Sequence, residues 1–318
     1  MNELRQVGTD IVASVVVLSH DRLEDLRRNV TQLLQYLGPQ RAELIVVDNG
    51  STDGSQAYLR TLATAHSDRV RIVLQEQNRG VAGGRNVGYR LAAGRYIVNL
   101  DDDALADGAL LPETIRCFQD RDDVGILVYR IRHLRSGVWE TPHGDEPTEV
   151  ANFHGAGHAF RRELFDQVGY LDERCSFGGE EIEMSIRARN AGYQLLYVPH
   201  LIVQHNSLVR HGSVAVSRLL AWHRNYVRTL YRYFPRRMAA VYGFRLFVRF
   251  LVGHLGAGRI RGLYPFQLGR AFWAGRREGL REHVASPDVT IEFYRNPRLL
   301  PDLGNVPLSS SVLRRIWP

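Results

Sequence analysis

YIVNLDDDALADG, residues Tyr96 to Gly108, places three consecutive aspartates at the end of an apolar run. A short run of this kind predicts a buried strand, and the end of a strand is a costly place for three negative charges. A buried carboxylate needs a cation, hydrogen-bond donors or a metal ion to compensate it. The partners of Asp101, Asp102 and Asp103 should therefore indicate what this region of the protein does.

The chain before the three aspartates alternates apolar strand patterns with amphipathic helix patterns. Strands are predicted at 11–19, 42–48, 70–75 and 96–100, and helices at 22–37, 56–65 and 81–92. Such alternation is typical of an α/β fold whose parallel sheet has right-handed crossovers. Ligands bind beyond the carboxyl ends of such strands, where the polar segments SHDR, DNGSTDGS, NRGVAGGRN and DDD all fall. The sequence therefore predicts one polar binding edge.

The aspartates at the end of the fourth strand suit a metal ion. Asp101 and Asp103 should point the same way, because side chains alternate along a strand. Two carboxylates on one side favour Mg²⁺ or Mn²⁺, which often completes its coordination with phosphate oxygens of a substrate. The alternative is a solvated turn in which Asp107 caps the next helix. The other polar segments at the same edge favour a metal ion with a diphosphate.

Two common nucleotide-binding motifs are absent from the sequence. A dinucleotide-binding fold would place G-x-G-x-x-G after the first strand, where this chain has SHDRLE. A P-loop needs a lysine, and the chain contains 41 arginines and no lysine. GVAGGRNVG (80–88) is only a weak match to a phosphate-binding loop.

Five segments, taken in order, resemble the family 2 glycosyltransferases, which are inverting enzymes of the GT-A fold. They are VVVLSHDR, IVVDNGSTDGS, NRGVAGGRNVG, NLDDDA and GGEEIEMSIRARNAGY, within residues 11–207. The resemblance is greatest to bacterial rhamnosyl- and galactofuranosyltransferases. It implies a Rossmann-like, mostly parallel sheet and the transfer of a sugar from a nucleotide-diphospho-sugar. The implied acceptor is a saccharide or a lipid-linked molecule in cell-surface glycan synthesis.

The resemblance also implies roles for residues at the predicted binding edge. Asp48 would accept a hydrogen bond from a pyrimidine ring N–H, although turn chemistry within DNGS is an alternative role. Arg85 would lie near the diphosphate and offset its charge. The residues expected to bind the nucleotide sugar are Ser19, Asp21, Asp48, Asn78, Arg85, Asp101 and Asp102.

The expected cofactor is a divalent metal ion, Mn²⁺ or Mg²⁺. Asp101 and Asp103 match the D-x-D metal motif of the family. His205, in LIVQHNS, matches a histidine that completes the metal site in related transferases, and an imidazole suits Mn²⁺. A purely structural role is the alternative for this histidine.

The predicted catalytic base is one of two glutamates at the start of a helix expected over Glu180–Ala191. Glu181 matches the second acidic position of the family's pair and is the first choice, with Glu180 as the second. A helix N-terminus favours ionised carboxylates, so a helix start without a catalytic role is the alternative. Glu183 and Arg187, four residues apart, are expected to form a surface ion pair.

A loop and two residues are expected on the acceptor side of the site. The glycines in HGAGHAF (154–160) predict a flexible loop over the donor and the acceptor. His158 within it and Trp139 are the acceptor-side candidates.

The arginines are unevenly distributed along the chain. Residues 1–200 carry a net charge of −7, whereas residues 201–283 hold 15 arginines against Glu278 and Glu282, which leaves +13. Arg245 and Arg249 interrupt the most apolar stretch of the tail, which argues against a spanning helix. We expect a catalytic domain over 1–207 and a basic amphipathic helical region over 208–318. That region would lie on a membrane surface, pack on the catalytic domain or form a homo-oligomer contact, with nucleic-acid binding disfavoured.

Composition and the N-terminus favour a cytoplasmic protein. The chain has two cysteines, Cys117 and Cys175, and no apolar secretory segment at its start. A reduced periplasmic protein also fits. With a membrane-bound tail the expected location is the inner face of the plasma membrane. Two other functions are considered: a sugar-1-phosphate nucleotidyltransferase, whose G-x-G-x-R-L opening is missing, and a non-catalytic basic adaptor for membranes or nucleic acid.

Overall fold

The structure, a computed structural model, describes residues 11–37, 41–141, 143–206, 216–256 and 264–296. The strands within these ranges are β1 (Ala13–Ser19), β2 (Ala42–Asp48), β3 (Val70–Leu74), β4 (Tyr96–Asp101), β5 (Ala104–Ala106), β6 (Val124–His133), β7 (Thr148–Glu149), β8 (Gly157–Arg161) and β9 (Gln194–His205). The helices are α1 (Leu23–Leu37), α2 (Ser55–Ala65), α3 (Gly80–Leu91), α4 (Leu110–Asp120), α5 (Arg162–Val168), α6 (Glu180–Asn190), α7 (Val216–Tyr233), α8 (Arg236–Gly256), α9 (Tyr264–Arg281) and α10 (Asp288–Arg295).

The described strands form one sheet in the order β3-β2-β1-β4-β8-β6-β9-β5, with β7 paired to β9. Strands β1 to β4 pair in parallel, as do β6 and β9. The predicted α/β fold with a mostly parallel sheet is therefore confirmed. Strand β8 enters antiparallel between β4 and β6, which the sequence did not predict.

The segment 154–160 is not the flexible loop that its glycines predicted. Its second half is β8, which pairs with both neighbours in the middle of the sheet. His158 is fully buried there, with its ring 4.4 Å from that of Phe153 and its Nδ1 3.0 Å from the carbonyl oxygen of His154. The prediction that His158 faces an acceptor is therefore wrong, because the strand is covered on both faces.

Side chains of the central strands alternate between two apolar layers. Val15 and Val17 of β1 pack on the side of α1, α2 and α4, whereas Val16 packs on the side of α3, α5 and α6. The same alternation runs through β2 and β4, because a strand points successive side chains to opposite faces. With both faces covered, the polar residues at the carboxyl ends of β1, β2 and β4 collect at one edge.

A third apolar cluster joins α6 to the C-terminal helices. Ile182 and Ile186 pack there with side chains of α7, α8, α9 and α10. Glu183, on the same helix, is buried and pairs with Arg187 as predicted, but also accepts hydrogen bonds from Arg232 and Tyr233 of α7. The expectation of a surface pair is wrong, because α7 covers it.

The helices predicted for the basic tail are α7 to α10 within the described residues. In the part of the chain that the structure describes, no helix combines the length and apolarity needed to cross a membrane. The predicted division of the chain after residue 207 lies outside the described residues.

Helices α7 and α9 meet at two glycines spaced four residues apart. A Cβ atom added at Gly275 would lie 2.3 Å from the carbonyl oxygen of Arg224, and one at Gly279 equally close to that of Arg228. Both separations are shorter than any tolerable contact, so the two backbones approach closely only because glycine occupies both positions.

We predict that Gly275→Ala lowers the free energy of unfolding by about 1–3 kcal/mol, because the added methyl group separates α9 from α7. Gly269→Ala is the matched control on the same helix, since nothing lies within 4 Å of a Cβ atom there. That control should leave stability unchanged or raise it by up to about 1 kcal/mol, because alanine favours helix. Urea unfolding of both variants is the measurement, and equal effects would contradict the close packing.

Candidate active site

Arg22, directly after β1, compensates two of the three aspartates. Its Nη1 donates to Oδ2 of Asp103 and lies 3.3 Å from Oδ1 of Asp102. Burial raises the pKa of Asp102 to about 7 against the opposing charge of Arg22. Burial also acts to raise the pKa of Asp103, but the hydrogen bond and charge of His205, together with Arg22, hold it below its usual range. Asp103 is thus the more strongly ionised of the two.

Arg85, on α3, compensates the remaining aspartate from inside the protein. Its Nη2 donates to Oδ1 of Asp101 at 2.7 Å and to the carbonyl oxygen of Gly155 at 2.9 Å. Its Nη1 lies 3.5 Å from Oε1 of Glu180. The side chain is only 4% exposed, so it offsets carboxylates of the protein itself. Arg85 therefore links Asp101, a predicted metal ligand, to Glu180, the second-choice base.

The three residues predicted to hold a metal come together. One ligand atom from each of Asp101, Asp103 and His205 lies within 4.8 Å of the others. The pairing of Ala104 with His205 between β5 and β9 brings the histidine to the aspartates. Two carboxylates and one imidazole are a ligand set that suits Mn²⁺, so the residues fit a divalent metal ion.

A second carboxylate orients the histidine of this group. Nε2 of His205 lies 3.3 Å from Oδ1 of Asp103, and Nδ1 lies 2.7 Å from Oε2 of Glu140. A carboxylate on the far nitrogen is the usual support of a metal-binding imidazole. Burial acts to lower the pKa of His205, but the hydrogen bonds with Asp103 and Glu140 raise it to about 10. A metal ion bound here would therefore compete with a proton.

The two candidate bases differ in exposure. Glu180 is 2% exposed and lies against Arg85, whereas Glu181 is partly exposed at the start of α6. A Cβ atom at Gly155 would lie 2.9 Å from Oε1 of Glu181, so the glycine leaves room for this carboxylate. Burial and the neighbouring Glu181 raise the pKa of Glu180, and burial raises the pKa of Glu181, while Arg85 opposes both shifts. Glu181 is therefore the more accessible of the two carboxylates.

Helix α7 supports the turn that carries these glutamates. Nδ2 of Asn225 donates to the carbonyl oxygen of Gly178 at 2.8 Å. A Cβ atom at Gly178 would lie 2.0 Å from Cδ1 of Trp222, and one at Gly179 would lie 2.8 Å from Cβ of Asn225. Both glycines have positive φ, 68° and 91°, which glycine adopts without strain. The C-terminal helices therefore form the wall behind the start of α6.

Asp48, at the end of β2, forms the predicted turn with one carboxylate oxygen and leaves the other oxygen unpaired within the described part of the chain. Its Oδ1 accepts hydrogen bonds from the backbone N–H groups of Gly50 at 3.2 Å and Ser51 at 2.9 Å. Its Oδ2 is buried and has no hydrogen-bond partner among the described residues. One oxygen therefore forms the turn, and the other is available to a donor group of a ligand.

The other predicted nucleotide-binding residues lie in the loops around Asp48. Ser19 is buried at the end of β1 and pairs in register with Asp48. Asp21 has a φ of 50° and its Oδ1 accepts from the backbone N–H of Thr52 at 2.7 Å, which ties the loops after β1 and β2 together. Asn78 is exposed, and its Oδ1 accepts from the N–H of Gly80 at 2.8 Å, which fixes the approach to α3.

Three residues near the predicted metal ligands were not themselves predicted from the sequence. Arg22 lies in the quoted SHDR segment, and its position after a strand end was the only available signal. Glu140 gave no signal in the sequence. It is brought to the site by a backbone bridge between Arg132 and Trp139, which are seven residues apart. His154 lies with Nε2 3.8 Å from Oε2 of Glu140. Trp139, the remaining acceptor-side candidate, directly precedes Glu140.

The sequence is similar to known glycosyltransferases. Glycosyltransferase AglE of Haloferax volcanii is 29% identical over 203 residues, which cover 60% of this chain and 66% of that protein. The dTDP-rhamnosyl transferase RfbF of Shigella flexneri is 22% identical over 212 residues, 61% of this chain and 68% of that one. Other relatives match over as little as 25% of their own length, so the chain spans only part of several of them.

The fold is that of the GT-A glycosyltransferases. A mannosyltransferase from Pyrobaculum calidifontis, solved with GDP-Man and Mn²⁺, superposes with a TM-score of 0.56 at 18% identity over 85% of both chains. At this identity the likeness concerns the fold alone. The sequence pattern of the family described as "Glycosyl transferase family 2" matches residues 14–177, which is more than half of the chain. The sheet, the acidic site at its edge and this match together show that the chain belongs to glycosyl transferase family 2.

Proposed function

We propose that this protein is an inverting, metal-dependent transferase that moves a sugar from a nucleotide-diphospho-sugar to a saccharide or lipid-linked acceptor in cell-surface glycan synthesis. The observation that carries the proposal is the group formed by Asp101, Asp103 and His205, with ligand atoms within 4.8 Å, next to the glutamate pair of α6. The GDP-Man and Mn²⁺ bound by the Pyrobaculum enzyme support the class of donor and cofactor.

Different residues bind the nucleobase, hold the metal ion and accept the proton. Asp48 accepts a hydrogen bond from the nucleobase through its unused Oδ2. Asp101, Asp103 and His205 would hold the divalent ion, which when bound neutralises negative charge on the departing diphosphate. Glu181 accepts the proton of the acceptor hydroxyl as that oxygen attacks the sugar. No enzyme nucleophile takes part, so a single displacement inverts the configuration at the anomeric carbon.

We predict that Asp103→Asn weakens Mn²⁺ binding by roughly 10-fold or more, because the substitution removes the charge of one ligand. Asp102→Asn is the matched control, since it makes the same substitution one residue away from the ligand group and should change Mn²⁺ affinity much less. Titration calorimetry with Mn²⁺ alone measures both. Equal losses in the two variants would argue against the assigned ligands.

Binding of the donor should need the same ion. Nucleotide diphosphates and their sugars can be screened by thermal stabilisation with Mn²⁺, since a ligand of the folded state raises the melting temperature. The best ligand should lose most of its affinity in EDTA. Affinity that is unchanged by EDTA would contradict the proposed role of the metal.

We predict that Glu181→Gln lowers kcat by roughly 10²-fold or more while the affinity for the donor stays close to that of the wild type. Glutamine keeps the shape but cannot accept the proton. Because the pKa of Glu181 is raised, kcat of the wild type should rise with pH through a value above the usual glutamate range, and the variant should lose this limb. Glu180→Gln is the control and should reduce kcat less.

Two results would contradict this mechanism. One is normal turnover by Glu181→Gln. The other is a product whose anomeric configuration, determined by NMR, is the same as that of the donor.

A further inference from the structure

One face of α9 carries exposed aromatic and basic side chains in a single row. We name this row the α9 stripe; its members are Phe266, Arg270, Trp273, Arg277 and Arg281, all of them exposed. They recur every three or four residues, so they lie on the same side of the helix. Phe266 is 64% and Trp273 62% exposed, which is unusual for side chains of this size.

The opposite face of α9 is the one that packs on the protein. Leu268, Gly275 and Gly279 are buried, and both glycines touch the backbone of α7. At about 100° per residue, these positions lie roughly 180° around the helix from the α9 stripe. The tight glycine contact therefore fixes the orientation in which the stripe faces outward.

The charge around the α9 stripe has one sign. Within the ranges that the structure describes, Arg270, Arg277 and Arg281 make no ion pair with an acidic side chain. The shallow groove along this face is lined by four arginines and no acidic residue. Arg276 adds a guanidinium 5.1 Å from the ring centroid of Trp273. The surface thus combines uncompensated positive charge with exposed aromatic area.

We propose that the α9 stripe binds the surface of a membrane that contains anionic lipid. The arginines contact lipid phosphates, and the rings of Phe266 and Trp273 enter the boundary between headgroups and acyl chains. A straight row of about 22 Å suits a flat surface. A second copy of the chain is a poor occupant, because two stripes face to face would oppose arginine to arginine. The inference does not depend on the proposed reaction and can be tested without a sugar donor.

The test is flotation of the full chain with vesicles of phosphatidylcholine alone and with vesicles that also contain phosphatidylglycerol. Only the anionic vesicles should bind the protein, and binding should weaken with salt. The double variant Arg270→Gln, Arg277→Gln should bind anionic vesicles roughly 30-fold more weakly, at about 1 kcal/mol for each arginine. Wild-type tryptophan emission should shift to the blue on binding, and Trp273→Phe should lose that shift.

The matched control is Arg236→Gln, Arg237→Gln, which removes the same charge from exposed positions of α8 outside the stripe. This control should retain most of the binding, and circular dichroism of all variants checks that they fold. Equal binding to neutral vesicles, or equal loss in both double variants, would overturn the proposal. Tighter binding to RNA or duplex DNA than to anionic vesicles would also overturn it. The same holds if the wild type forms a dimer in solution that Trp273→Ala dissociates, and vesicles bind neither the wild type nor this variant.

Discussion

The buried guanidinium of Arg85 is the contact on which the arrangement of the site depends. It donates hydrogen bonds to Asp101 at the end of β4 and to the carbonyl oxygen of Gly155 before β8. It also lies 3.5 Å from the carboxylate of Glu180 on α6. These segments bring negative charge to one place, and without a cation between them their burial would cost several kcal/mol for each carboxylate. Arg22 plays the same part for the other two aspartates. Arginines therefore allow this sheet edge to concentrate acidic groups.

The C-terminal helices belong to the same electrostatic framework. Asp172 accepts hydrogen bonds from Arg174 and from Arg228 of α7, and Arg232 lies 3.4 Å from the same carboxylate. Burial acts to raise the pKa of Asp172, but the hydrogen bonds with Arg174 and the charges of Arg228 and Arg174 lower it to about 2. Arginines of α7 thus pair with acidic side chains of the catalytic domain, which partly explains why this helix is basic. The arginines on the exposed face of α9 have no such acidic partners among the described residues. The charge of +13 noted in the sequence has two different physical origins.

Sequence reasoning predicted the parts of the fold that local patterns determine. Strands β1 to β4 are predominantly apolar runs, and the rule that ligands bind at strand ends located Asp48, Asp101 and Asp103. It failed for β8, because Gly157 and His158 interrupt the apolar pattern of a strand whose pairing comes from distant residues. It also misjudged Glu183, since spacing along α6 says nothing about the helix that covers it. The partners of Arg85 could not be predicted, because each contact joins α3 to a different segment and depends on how those segments pack.

The glycine turn before α6 has a consequence for how this protein can be recombined with its relatives. The family pattern ends at residue 177, and the turn at Gly178 begins immediately beyond it. Trp222 and Asn225 fill the space that any side chain at Gly178 or Gly179 would need. A chimera whose junction lies between Gly179 and α7 would separate the turn from the helix shaped to hold it. The smallest exchangeable unit therefore runs from the turn through α7, and it begins where the family pattern ends.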